Sequence, residues 1–431
     1  MHLLKWLYPG MHFKRWLLLF MAGGMLVSLG LALIFNYKYL EQVEESIFRF
    51  VYLIRGSYDY GATAFVGAVI ILLGLSVMLL ATRFVIRSVI TLILPENSAD
   101  LVDLVYEKRR LKSGPVITAI GGGHGLSMLL RGLKTMTDHV TAIVTVADDG
   151  GSSGRLREEL GIIPPGDLRN CLVALADTEP LMERLFQYRF GGNKELAGHS
   201  FGNLFLAAMS GVTGDMESAL ETSSKVLAVK GRVLPASTQY VRLDATMEDG
   251  TVVCGESRIP LAKKRIKRVK LSPSPVMPVS AAIDAIYQAE VIVMGPGSLY
   301  TSVMPNLLVE GIAEAIKKSS AIKVYICNVM TQSGETDGYT ASMHVRAIIE
   351  HAGQGIIDYV VVNSAPVSQE KEAHYAAHGE YPVVVDEEEL KALGVGIVQA
   401  DIVNRADGVH HDPKKLTECL KELLHRLEDS I

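Results

Sequence analysis

Two unbroken apolar runs stand at the front of the chain, Trp16 to Phe35 and Gly61 to Ala81, and neither holds a charged residue. At about 1.5 Å of rise per residue, each is long enough to cross a bilayer as a helix. Lys14 and Arg15 resemble the basic start of a signal peptide. A second span close behind, and no clean small-residue cleavage site, favour two retained helices in a hairpin over residues 1–94. Lys5, Lys14 and Arg15 precede the first run. Arg83 and Arg87 follow the second, while the intervening loop, residues 36–60, carries three basic residues against four acidic. Positive-inside counting then places both termini and the main domain in the cytoplasm, at the cell (inner) membrane.

Leu94-Pro95-Glu96-Asn97 ends this region, and a charged stretch over 95–114 reads as a juxtamembrane linker. After Pro115 the pattern changes. Short apolar, β-branched runs at Val116–Ile120, Val140–Val146, Val291–Met294, Ile322–Cys327, Ile357–Val362 and Val383–Val385 predict buried strands. Helical patterns lie between them, for instance Leu126–Leu133, Asn306–Lys317 and Tyr339–His351. Strands of this kind alternating with helices predict an α/β domain over 115–431 with a mostly parallel sheet covered on both faces. Gly231–Leu271 alternates with period two and predicts a small antiparallel insertion. Its basic cluster Lys263-Lys264-Arg265-Ile266-Lys267-Arg268-Val269-Lys270 reads as a solvated edge strand.

Composition adds few constraints. The 431 residues are 49% hydrophobic, and the net charge of −5 gives no reason to expect nucleic acid. Cys171, Cys254, Cys327 and Cys419 are far apart, which suggests neither a zinc site nor a disulfide framework. Walker A, kinase and H-E-x-x-H signatures are absent.

The candidate chemistry is a set of glycine-rich turns after strands or at helix starts. Gly121-Gly122-Gly123-His124-Gly125 follows the first strand, where backbone N–H groups and a helix N-terminus receive phosphate in a doubly wound fold. Leu126 spoils a dinucleotide fingerprint. Asp148, 23 residues beyond Gly125, stands at about the distance of a ribose-binding acid, so a nicotinamide enzyme stays open. Asp148-Asp149-Gly150-Gly151-Ser152-Ser153-Gly154 pairs two carboxylates with an anion-accepting turn. The acids suit a ribose or base donor, or a hydrated Mg²⁺ on Asp148 or Asp149, and the serines suit phosphate. The same turn satisfies the G-x-S-x-G of a hydrolase elbow, though two adjacent carboxylates would oppose an oxyanion. A solvated turn with a helix cap would also account for it.

In Pro164-Pro165-Gly166-Asp167-Leu168-Arg169-Asn170, Asp167 is placed to cap a helix. Arg169 and Asn170 would then lie in its first turn, where a cation opposes the dipole unless an anion is bound. His199 and Asn203, in Gly198-His199-Ser200-Phe201-Gly202-Asn203, open another helix. Gly295-Pro296-Gly297-Ser298-Leu299-Tyr300 ends a strand at the ligand edge, and Asn328, Thr331 and Gln332 follow another.

Together these motifs, with Pro305-Asn306-Leu307-Leu308, resemble the YvcK-type gluconeogenesis factors, of the superfamily that includes CofD, 2-phospho-L-lactate transferase. The resemblance covers residues 115–425. It implies a Rossmann-like fold and binding of a UDP-sugar of the UDP-N-acetylglucosamine type. It also implies a link to cell shape and wall-precursor supply on gluconeogenic carbon. Binding without turnover is expected because no residue set resolves into a nucleophile with an oriented base and the acids sit where they recognise a nucleotide. A metabolic enzyme as partner and a homo-oligomer are further expectations. The transferase branch instead implies Mg²⁺-dependent transfer of a phospholactate-type group from a nucleotide diphosphate carrier to a deazaflavin. Carried over by position, Gly121, Gly122, Gly123, Gly125, Asp148, Asp149, Ser152, Ser153, Arg169, Asn170, His199, Asn203, Gly295, Gly297, Ser298, Tyr300, Asn328 and Tyr375 form the expected ligand site. The chain departs from the family in its apolar hairpin and in His410, where the resemblance implies Arg before His411-Asp412-Pro413.

Overall fold

A computed structural model describes residues 13–35, 45–46, 49–50, 52–53, 60–93, 106, 109–177, 180–192, 196–404 and 408–428. Most of the expected linker and most of the loop between the two apolar runs lie outside these residues. The chain divides into two units, Met1–Glu107 and Lys108–Ile431.

In the first unit, helices α1 (Phe13–Phe35) and α2 (Tyr60–Ile93) carry apolar stretches at Trp16–Ile34 and Ala64–Ile86, each long enough to cross a membrane. Glycines let their backbones approach. A Cβ on Gly74 would lie 2.8 Å from the Gly23 carbonyl oxygen, and one on Gly67 would lie 3.1 Å from that of Gly30. The pairing runs in opposite directions along the two helices, so they are antiparallel, and small residues at the contact are how apolar helices associate without a hydrophobic driving force. Trp16 stacks on Phe84 with ring centroids 4.3 Å apart.

In the second unit the chain runs β1 (Ile117–Gly121), α3 (Gly123–Leu133), β2 (Val140–Val144), α4 (Gly151–Leu160), α5 (Pro165–Leu175), α6 (Pro180–Gln187), α7 (Phe201–Thr213) and α8 (Met216–Val226). It continues through β3 (Arg232–Pro235), β4 (Arg242–Met247), β5 (Val252–Cys254), β6 (Ile266–Ser272), α9 (Ser280–Gln288) and β7 (Val291–Met294). After these come α10 (Met304–Leu307), α11 (Ile312–Lys318), β8 (Ile322–Ile326), α12 (Ala341–Ala352), β9 (Tyr359–Asn363) and α13 (Gln369–Ala376). The last elements are α14 (Glu387–Ala392), β10 (Gly396–Ala400), β11 (Val403–Asn404), β12 (His410–His411) and α15 (Pro413–Glu428).

Seven strands form one sheet in the order β10-β9-β8-β7-β1-β2-β3, and every pairing in it is parallel. Every residue of β1 and β7 is buried, as central strands covered on both faces require. The expected α/β class therefore stands. Strand order reverses between β1 and β7, so the loops leaving their carboxyl ends face each other across a crevice.

Details of the sequence reading change. Arg232–Pro235, expected in the antiparallel insertion, adds to the main sheet beside β2, and only β5-β4-β6 forms the small sheet. Val383–Val385 is not a strand. The last main-sheet strand is β10, whose half-buried Gly396-Ile397-Val398-Gln399-Ala400 carries a weaker apolar signal. The helix expected over 306–317 is broken before Gly311, which sits at φ +79°. The basic cluster does lie on an edge strand, with Lys267, Arg268 and Lys270 exposed. Val269 N–H on β6 donates to Nε2 of His351 on α12, so part of that edge is already capped.

Candidate functional site

Between the β1 and β7 loops lies a cavity of about 410 Å³, within the range of small-molecule sites. Its floor is the start of α3. Gly122 is extended and caps this helix without a side chain, and Gly123 adopts φ +62°. Gly125 is required by close approach, since a Cβ there would lie 2.4 Å from the Pro296 carbonyl oxygen and 2.9 Å from Gly297 Cα. Asn306 holds the two loops in register, donating from Nδ2 to the Gly121 (3.0 Å) and Ser302 (2.8 Å) carbonyls.

One wall is a chain of amides. Gly297 N–H donates to Asn328 Oδ1 (3.4 Å), Asn328 Nδ2 to Gln332 Oε1 (3.3 Å), and Gln332 Nε2 to Ser298 Oγ (2.8 Å). The opposite wall comes from late in the chain. Tyr375, Glu380, His410 and His411 line it, and the Tyr375 hydroxyl accepts Val409 N–H at 3.0 Å. His411 donates from Nε2 to the Cys327 carbonyl, and burial pushes its imidazole down to about 4. Among the described residues lining the cavity there is neither Lys nor Arg.

The opening of α4 forms a separate cluster beside this cavity. Asp148 Oδ1 accepts Gly150 N–H at 2.9 Å, and Asp149 Oδ1 accepts Ser257 N–H at 2.9 Å. Ser152 Oγ lies 2.9 Å from His199 Nδ1 and accepts Asn203 Nδ2 at 3.0 Å, all three residues being buried. Arg169 is buried too, donating to Ser200 Oγ and, at 2.7 Å, to Asn170 Oδ1. Burial lowers its guanidinium to about 10, with Arg189 adding to the effect.

Asp167 links cluster and cavity. It accepts a hydrogen bond from Gly123 N–H, and its Oδ2 lies 2.8 Å from where a Gly122 Cβ would be. Burial, then the charge of Asp148, raises Asp167 to about 6, and Asp148 itself is raised by burial. Glu256 is driven to about 8 by burial, then by Asp148, Glu335, Asp149 and Asp167. Burial also drives Glu335 to about 7, although Thr301 Oγ1 donates to it at 3.2 Å.

A carboxyl whose folded pKa exceeds its unfolded value stabilises the fold fully below the unfolded value and loses that contribution as pH rises through the folded one. For Glu256 the window runs from 4.5 up to about 8. Glu256→Gln is therefore expected to raise stability at about pH 8 by roughly 1–2 kcal/mol, allowing for its partial exposure. The gain should vanish near pH 4.5. Thermal midpoints across pH check this, and a midpoint difference independent of pH would refute it.

Of the expected ligand residues, the structure brings Gly122, Gly123, Gly125, Gly297, Ser298, Asn328 and Tyr375 into the cavity. Asp148, Asp149, Ser152, Ser153, Arg169, Asn170, His199 and Asn203 gather in the neighbouring cluster. Gly121 ends β1 and Gly295 follows β7, behind the lining residues. Tyr300 is not at the cavity. Its ring is buried against Tyr339 and His351, and its hydroxyl meets that of Tyr339 at 2.9 Å. Asp167 does not cap its own helix, which begins at Pro165, and Arg169 lies beyond the first turn. The dipole conflict inferred for Arg169 therefore disappears, and Ser200 and Asn170 satisfy it instead. His124 lies inside a glycine turn that reads as backbone chemistry, and Ser302, Glu380, Glu256 and Glu335 are isolated in sequence until folding supplies their neighbours.

Comparison with known proteins agrees with this architecture. A profile described as 2-phospho-L-lactate transferase CofD matches residues 117–403. A gluconeogenesis factor of Halalkalibacterium halodurans is 57% identical over 316 residues, covering 73% of this chain and 98% of its own. One from Bacillus subtilis is 54% identical over 311 residues, 72% of this chain and 98% of its own. A relative from Nostoc sp. is 48% identical over 425 residues, 96% of this chain and 91% of its own. A crystal structure from Bacillus halodurans, 56% identical, superposes with a TM-score of 0.70 over 72% of this chain and the whole of that one. The chain belongs to the CofD family, among the YvcK-type gluconeogenesis factors.

Proposed function

We propose that the second unit binds a UDP-sugar of the UDP-N-acetylglucosamine type in the cavity between β1 and β7, and that it acts by binding rather than turnover. The observation that carries this reading is the pair of glycine loops facing each other across the point where strand order reverses, around a cavity of about 410 Å³. The amides of Asn328 and Gln332 supply a polar wall suited to a base or sugar. The Ser298 and Tyr375 hydroxyls already accept hydrogen bonds from protein groups, which favours recognition over nucleophilic chemistry.

In this reading the two apolar helices within residues 1–94 anchor the chain in the cell membrane, with 95–114 as linker and 115–431 in the cytoplasm. The liganded domain contacts a metabolic enzyme and sets wall-precursor supply and cell shape, as a homo-oligomer. Mg²⁺ fits the site as a hydrated ion. The charge of Asp148 adds to burial in raising Asp167, and Asp148, Asp149 and Asp167 add to burial in raising Glu256, so negative charge is concentrated here. No three such side chains among the described residues are grouped to hold a metal ion alone, so Asp148 or Asp149 would share it with water and ligand oxygens. Its chemistry there would be to neutralise diphosphate charge.

The second reading is a CofD-like transferase, favoured by the family and by the Ser152–His199–Asn203 cluster beside the cavity. Calorimetry on the full chain with UDP-N-acetylglucosamine, UDP-glucose, GDP, GTP and NAD, with and without Mg²⁺, separates the two. UDP-N-acetylglucosamine is expected to bind and to be recovered intact. A guanine-nucleotide preference, or a consumed ligand, would establish the transferase instead.

A further inference from the structure

We propose that His124 and His410 are the cationic grip of this cavity, so that a diphosphate-bearing ligand binds together with protons. The proposal rests on the nucleotide-sugar reading above and specifies how the site meets the ligand's charge. A diphosphate diester is fully ionised at neutral pH, yet the described lining residues include neither Lys nor Arg. Helix α3 offers its N-terminal amides, which help but carry no full charge. The side chains there that can become cationic are His124, His410 and His411.

His411 is already committed, neutral and donating to the Cys327 carbonyl. The other two are unspent. His124 stands in the first turn of α3 and His410 on β12, with ring centroids 6.3 Å apart and planes at 74°. Among the described residues neither imidazole has a hydrogen-bond partner. Burial, then His410 and Arg131, hold His124 below the ordinary imidazole value. The other described groups around the pair are Glu380 and the neutral His411 on the lining, and Arg131 near His124. At Gly408, where His410 packs, lie the Tyr375 hydroxyl and Lys371, whose Nζ donates to the Gly408 carbonyl at 3.0 Å. Two cations at this separation repel, and an anion seated between them turns the repulsion into attraction.

The sign follows from linkage. The ligand favours the protonated imidazoles, so affinity is greatest where both rings carry protons and falls as rising pH removes them. The fall approaches about tenfold per pH unit for each proton taken up.

Calorimetry on the full chain from about pH 5.5 to about pH 8.5, in buffers of differing ionisation enthalpy, measures both affinity and proton uptake. UDP-N-acetylglucosamine and inorganic diphosphate are expected to bind with proton uptake and to weaken with pH. Uridine is expected to show neither effect. His410→Lys is expected to hold diphosphate affinity at high pH and to reduce the uptake. His124→Asn with His410→Asn should abolish uptake while thermal midpoints show the variant still folded. Binding without proton uptake, or uptake that survives the double substitution, would overturn the grip, as would Mg²⁺ abolishing uptake in the native chain. Diphosphate binding with uptake but no nucleotide-sugar binding would sink the ligand assignment alone. Binding of neither would sink both.

Discussion

Replacing Gly125 with valine is expected to weaken ligand binding at the cavity by at least about tenfold, the largest functional loss anticipated for a single substitution. A Cβ at this position would meet the Pro296 carbonyl oxygen at 2.4 Å, its carbonyl carbon at 2.7 Å and Gly297 Cα at 2.9 Å. All three are backbone atoms, so no side chain can swing aside. Either helix α3 shifts away or the loop after β7 does, and both contribute to the cavity lining. Overpacking of this kind costs about 1–3 kcal/mol of stability. Its effect on affinity is larger, because donors displaced by about 1 Å no longer converge on one ligand. A loss of at least about tenfold in UDP-N-acetylglucosamine affinity is expected by calorimetry. Gly211→Ala is the control. That glycine lies in helix α7 with nothing within 4 Å of its Cβ position, so the substitution should leave binding unchanged and stability equal or slightly higher. Native affinity in the Gly125 variant would show that the ligand sits elsewhere.

Arg157→Met is expected to produce the largest loss of stability, about 3 kcal/mol or more. Arg157 is 3% exposed near the end of helix α4. From Nη1 it reaches the Ala147 and Asp148 carbonyls at 3.5 and 3.3 Å, and from Nη2 it donates to the Val241 carbonyl. Its guanidinium lies 4.0 Å from the Tyr240 ring centroid. One cation thus ties the stretch after β2, which carries Asp148, to the segment entering the antiparallel sheet. Methionine fills similar volume but leaves these carbonyls without their donor, and it removes a positive charge that holds Asp148 down. Both effects point the same way. The thermal midpoint should fall by several degrees, and a midpoint within about 1 °C of the native chain would refute the account.

Local chemistry made much of this protein legible without a structure. The apolar runs at Trp16–Phe35 and Gly61–Ala81 declare helices because nothing in them interrupts burial. The runs at 116–120, 140–146 and 291–294 declare buried strands because β-branched and apolar residues dominate them, and strands form there within a residue or two of those bounds. The glycine turns at 121–125 and 295–298 were legible for the same reason, since a strand that stops at glycines marks a backbone meant to approach something. The lysines of β6 were legible as a solvated edge. Where the signal was weak, as in Gly396–Ala400, or was imitated by a loop, as in Val383–Val385, local pattern misled.

Tertiary structure alone decided which of these pieces meet. Nothing local relates β1 to β7, about 170 residues later, yet their adjacency creates the crevice. The same adjacency sorts the expected ligand residues into two sets. Asn328 and Tyr375 join the glycine loops, while Ser152 turns to His199 and Asn203 in a buried cluster. Tyr300 shows the limit most plainly. It sits among ligand-edge residues in sequence, but a wide helical turn over Leu299–Val303 rotates its ring into the core against Tyr339. His124 and His410 stand 286 positions apart and face each other only because helix α15 packs along α3. Sequence determined which backbone segments are helix, strand and glycine turn, because short-range sterics and burial patterns act within a few residues. The pairing of charges and the membership of the site waited for the fold, because electrostatics and packing depend on distances that no spacing along the chain encodes.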